Sequence, residues 1–71
     1  MTIKIRLETM TDVMKFQEVV SKVKEDVKLI DGNGYCVNAK SILGAVAALE
    51  WENLYVVSDK DLLMTLKDFY I

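Results

Sequence analysis

Val37-Asn38-Ala39-Lys40-Ser41-Ile42-Leu43-Gly44 is the stretch on which the fold of this chain turns. An extended run ends at Asn38, and a helix opens after Ser41. Serine favours this position because its hydroxyl accepts a hydrogen bond from a free N–H of the first helical turn. The helix from Ile42 to about Leu49 is rich in Ala and Leu, which favour helix. A strand that passes into a capped helix within three residues marks a mixed α and β chain.

Upstream of that junction, Tyr35–Asn38 reads as the return strand of a hairpin. Its turn is Asp31-Gly32-Asn33-Gly34, the strongest turn signal in the sequence, because Asp-Gly and Asn-Gly supply the positive φ values that hairpins need. The partner strand is Asp26–Ile30, with Val27 and Leu29 inward. Ahead of it, Val13, Phe16, Val20 and Val23 recur at helical spacing with Val19 beside them. Lys15, Glu18, Lys22 and Lys24 take the opposite side, so an amphipathic helix is expected over about Met10–Lys24. Thr9 followed by Asp12 is a variant of the capping box at its start. Met10 and Met14 read as core filler or as a partly exposed apolar surface. The chain opens with Thr2–Leu7, where Ile3, Ile5 and Leu7 alternate with Lys4 and Arg6, as in a half-buried strand.

Downstream, Asn53–Ser58 reads as a fourth strand, with Leu54 and Val56 facing in and Tyr55 and Val57 facing out. Trp51, between helix and strand, is placed to shield a core edge. Ser58 and Asp61 repeat the capping-box pattern. Leu62, Leu63, Leu66, Phe69 and Tyr70 then predict a third helix running to the chain end. The order β-α-β-β-α-β-α argues a two-layer α+β domain, an antiparallel sheet with helices on one face.

The chain has 71 residues, which makes one domain spanning 1–71. A domain this small buries only about 60% of its unfolded surface, so its stability margin is thin. Cys36 is the only cysteine and cannot pair within the chain. That fits a reducing compartment, and no signal-peptide or membrane-spanning run is visible, so a cytoplasmic protein without membrane insertion is expected. Nine basic and eleven acidic residues leave a net charge of −2, which offers no footprint for nucleic acid.

The Asn38-Ala39-Lys40-Ser41-Ile42-Leu43-Gly44 segment resembles the N-(A/L)-K-S-(I/L)-(M/L)-G segment of the HPr family, the small phosphocarriers of the bacterial sugar phosphotransferase system. Asp26-Val27 with Leu29, and the Asn33-Gly34 turn, extend the resemblance, which can be followed from about Glu25 to the chain end and more loosely back to Ile3. It implies an open-faced sandwich, with four antiparallel strands in the order 1-4-2-3 and three helices on one face. It implies that Ser41 matches a regulatory phosphorylation site. It also implies that Lys40, Ile42, Leu43 and Val46 belong to a docking surface for protein partners, among them an HPr-type serine kinase or a regulator.

The family's phosphate-accepting histidine is missing, because the chain contains no histidine. Ungapped alignment back from Asp26 puts Thr9 in its place, within Glu8-Thr9-Met10-Thr11-Asp12. A threonine hydroxyl needs a base to activate it, and the sequence places none beside it. Glu8 and Asp12 would repel an incoming phosphoryl group. Phosphocarrier chemistry is therefore rejected, and no catalytic residue is assigned.

No cofactor is indicated. No metal site is expected either, since one cysteine without histidine cannot hold zinc and the Asp31 turn lacks the later ligands of a calcium loop. Cys36 sits in a strand and is expected to be a small buried hydrophobe rather than a nucleophile.

Two readings of Ser41 stay open. A phosphate there would add about −1.5 to −2 charges at the positive end of a helix, with Lys40 near; otherwise the serine is only a cap. The expected function is accordingly a non-catalytic HPr-like regulatory or adaptor protein. The alternative is a degenerate HPr-fold interaction domain, one form of which is a weak homodimer through its open sheet face at Tyr55 and Val57.

Overall fold

A computed structural model describes all residues, Met1–Ile71. Four strands and two helices follow in the order β1 (Thr2–Ile5), α1 (Met10–Val20), β2 (Val27–Ile30), β3 (Cys36–Asn38), α2 (Ile42–Ala48) and β4 (Leu54–Ser58). The strands form one antiparallel sheet in the order β1-β4-β2-β3. This is the strand order expected from the Ser41 segment.

Alternation sets which side of the sheet is buried. Ile3, Ile5, Val27, Leu29, Leu54 and Val56 point to the core, where they meet Val13, Phe16 and Val20 of α1 and Ala45 and Ala48 of α2. The register places Ile3 opposite Val56 and Val56 opposite Leu29, so one apolar row crosses three strands. The hairpin turn forms as its residues dictate. The Asp31 carboxylate accepts from the Asn33 and Tyr35 N–H groups, and Gly34 takes a φ of 98° that a side chain would resist.

Helix α1 starts as expected and stops early. Thr9 is its N-cap: the Thr9 hydroxyl accepts from the Asp12 N–H at 3.2 Å, and the Asp12 carboxylate accepts in return from the Thr9 N–H. At the other end Ser21 donates its hydroxyl back to the Glu18 carbonyl. The chain then turns so that Val23 still reaches the core, and the helix does not extend to Lys24.

The third helix expected after Ser58 does not form; the chain is β-α-β-β-α-β, with two helices on the sheet. Leu62, Leu66 and Phe69 are buried at helical spacing, but they sit on consecutive turns that mix i→i+4 bonds (Leu66 to Leu62) with i→i+3 bonds (Phe69 to Leu66). The capping box is not made. The Ser58 hydroxyl accepts from the Lys60 N–H and the Asp61 carboxylate from the Leu63 N–H, each two residues on, which are turn bonds rather than helix caps. The end of the segment is drawn elsewhere. Tyr70 bridges Ile5, the Arg6 N–H donates to the Phe69 carbonyl, and the Ile71 N–H donates to the Lys4 carbonyl. The last residues thus pair with the outer edge of β1 and cover it.

Cys36 is exposed, not buried as expected. It lies opposite Ile30 on the outer face of the sheet, because the inward position of this strand belongs to Val37 opposite Leu29. No helix is long and apolar enough to cross a membrane.

Candidate functional site

The junction between β3 and α2 is held by local turn and cap bonds, by bonds from Ala39 to β2 and α1, and by a close contact at Gly44. The Asn38 carboxamide oxygen accepts from the Lys40 N–H at 2.9 Å, and the Asn38 carbonyl from the Ser41 N–H at 3.0 Å. The buried Ala39 carries the turn into the core, where its N–H donates to the Val27 carbonyl at 2.8 Å and its carbonyl accepts from the Gln17 side chain. Ser41 then caps α2, its hydroxyl accepting from the Gly44 N–H at 3.3 Å. Gly44 lies close against β3, where an added Cβ would crowd Val37 and the Asn38 carbonyl, and this close approach constrains the rotation of the helix about its own axis.

That rotation decides what is exposed. With Gly44 on the β3 flank and Ala45 and Ala48 beneath, Ile42, Val46 and Leu49 occupy the flank toward α1, at i, i+4 and i+7. Leu49 and Val46 are half-buried, Ile42 is 53% exposed, and Leu43, on the solvent side, is 80% exposed. Adjacent helical residues cannot both point straight inward, and here both Ile42 and Leu43 face solvent.

Met10 and Met14 are two further exposed apolar side chains. They share a flank of α1 with Gln17, whose amide reaches the residue ahead of Lys40 and Ser41. Both are about half exposed or more, at 49% and 62%. Of the two expectations for them, core filler or a partly exposed apolar surface, the exposure fits the second.

Lys40 is placed differently from the expectation that it would draw a phosphate on Ser41. Its ammonium donates to the Val23 carbonyl beyond the end of α1, and the side chain is half-buried. The Lys40 ammonium thus bonds beyond the end of α1, whereas Thr9 caps the start of that helix, which rises about 16 Å over its eleven residues.

At Thr9 the surroundings are acidic. Glu8, Asp12 and Asp68 line a shallow hollow with Arg6. The Asp12 carboxyl is held below the usual carboxylate range, chiefly because it accepts from the Glu8 N–H and then from the Thr9 N–H. The Thr9 hydroxyl is an acceptor in the cap and has no imidazole or lysine partner. No group of three or more His, Cys, Asp or Glu side chains is arranged to hold a metal ion.

Comparison with protein-family models, curated proteins and solved structures finds no match to this chain.

Proposed function

We propose that this chain is a non-catalytic, HPr-like regulatory or adaptor protein that binds a protein partner through the first turns of α2, with Ser41 as its candidate phosphorylation site. The observation that carries the reading is the exposure of Ile42 and Leu43, side by side on the turn that Ser41 caps. Two large apolar side chains held outward on a rigid, capped turn cost hydration in the free protein, and a partner relieves that cost. Val46 continues the patch along α2, and Met10 and Met14 are further exposed apolar side chains on α1. Support for the HPr likeness comes from the Asn38–Gly44 segment together with the strand order β1-β4-β2-β3. Thr9, engaged as a cap between Glu8 and Asp12 and without a neighbouring base, supports the non-catalytic part.

A second reading, an interaction domain with no phosphorylation, is favoured by one observation. Ser41 is half-buried and its hydroxyl is already used as a cap. The deciding experiment is incubation with an HPr serine kinase and ATP, followed by intact-mass and peptide mapping, with Ser41→Ala as control. One phosphate on the wild type and none on the variant supports control at Ser41. No phosphate on a folded wild type leaves the docking surface and removes the switch.

A further inference from the structure

The face of the sheet turned away from the helices carries a pattern that the α2 surface does not explain. The register lays out two outward rows. Lys4, Tyr55, Ile30 and Cys36 form one, and Thr2, Val57, Lys28 and Asn38 form the other. Arg6 continues β1 outward, between the buried Ile5 and Leu7. Within these rows there are cations and no carboxylate, although acids outnumber bases in the whole chain. Tyr55 and Val57 of β4 lie half-buried between the exposed Lys4 of β1 and Lys28 of β2, and Ile30 lies half-buried next to Lys28 on β2. Arg6 is engaged only at 3.9 Å with Glu8, both well exposed, a contact worth little in water.

We propose that this open face docks an acidic peptide segment of a partner protein, with Lys4, Arg6 and Lys28 around an apolar centre of Tyr55, Ile30 and Val57. The charge pattern selects the occupant. A second copy stacked face to face would set these cations against their own images, and like charges across an interface suppress pairing. The face is also small, roughly 300 Å² in projection from strand spacing and rise, against about 800 Å² per partner in a stable protein interface. An extended segment of about five residues spans it, with carboxylates reaching the rim and an apolar side chain resting on the centre. A nucleic acid is disfavoured, because the face holds one aromatic ring rather than a stacking series.

The test uses the isotope-labelled chain and a short synthetic peptide whose alternate positions run glutamate, leucine, glutamate, with serine between. Amide shift changes are expected at Lys4, Lys28, Tyr55 and Val57 and not along α2. The double variant Lys4→Glu/Lys28→Glu, both sites exposed and its spectrum checked for an intact fold, is expected to raise Kd about tenfold or more. A peptide with glutamine for glutamate should bind comparably weakly to the wild type. Any of three results overturns the proposal: no shifts at millimolar peptide, shifts confined to α2, or an affinity unchanged by charge reversal. Tighter binding to anionic vesicles or to oligouridylate than to the peptide overturns it as well.

Discussion

The Cβ that Gly44 lacks would lie 3.2 Å from the Cβ of Val37, and as close to the Asn38 carbonyl oxygen. Helix α2 therefore touches β3 backbone to backbone at its first turn. Replacing an interior helical glycine by alanine ordinarily stabilises by about 1 kcal/mol. Here the added methyl must push the end of β3 outward by a few tenths of an ångström. Gly44→Ala is expected to lose most or all of that gain, and Gly44→Val to destabilise by about 1–3 kcal/mol through overpacking. Urea unfolding measures both; a full 1 kcal/mol gain for the alanine variant would mean that β3 yields freely and does not set the rotation of α2.

The capping box at Thr9 makes stability depend on acid. The Asp12 carboxyl titrates lower in the folded chain than in the unfolded one, because the Glu8 and Thr9 N–H groups donate to its charged form. Its contribution is therefore fully present above the unfolded value, near pH 4, and is lost as pH falls through the lower folded value. Wild type should lose stability faster than Asp12→Asn as pH is lowered from about 5 toward 2, so the gap between them narrows. Thr9→Ala removes the other half of the box and should cost about 0.5–2 kcal/mol. Parallel acid dependence of wild type and Asp12→Asn would show that the box does not contribute to stability in solution.

Much of this was legible in the sequence because it is local. The Thr9–Asp12 box, the Asp31–Gly34 turn and the Ser41 cap each depend on residues within four positions of one another. The strand faces follow from alternation, and even Cys36 was readable: with Val37 inward opposite Leu29, its neighbour must point out. The tail was not readable. Leu62, Leu66 and Phe69 repeat every three or four residues, which describes a helix and a run of turns equally well. What separates them is long-range: the edge of β1 takes the last backbone groups, and Ser58 is already the buried end of a strand. The exposed patch was half legible. Ile42 and Leu43 being adjacent forced at least one outward, but the rotation of α2 comes from the space at Gly44.

Ser41 and Leu43 are close in sequence and should behave oppositely. Ser41→Ala leaves the Gly44 N–H without its side-chain acceptor and is expected to cost about 0.5–1 kcal/mol, the low end for a cap because the bond is long at 3.3 Å. Ser41→Asp keeps a cap acceptor and should lie within about 0.5 kcal/mol of wild type. Leu43→Glu, at an 80% exposed position, should change stability by less than about 0.5 kcal/mol. A loss of more than about 1 kcal/mol for Leu43→Glu would mean that this leucine packs on the fold and is not held out for a partner.

The tail provides the last test, because it covers the core without being a regular helix. Leu66 is fully buried, and Phe69 packs edge-on against Phe16, with ring centroids 5.7 Å apart at 86°. Leu66→Ala should cost about 2–5 kcal/mol by transfer and cavity terms. A domain of this length has a total stability of roughly 4–11 kcal/mol, so the change consumes a large share of it. Met64→Ala, two residues away but 80% exposed, should cost less than about 0.5 kcal/mol. The Arg6 and Ile71 amides bond across the β1 edge, so in Leu66→Ala their hydrogen exchange should accelerate more than that of the Val56 amide in the central strand β4. Equal acceleration at all three sites would mean that the tail opens only when the whole domain unfolds. Faster exchange at the β1 edge alone, with a large stability loss, would identify the tail as a clasp that closes the core last.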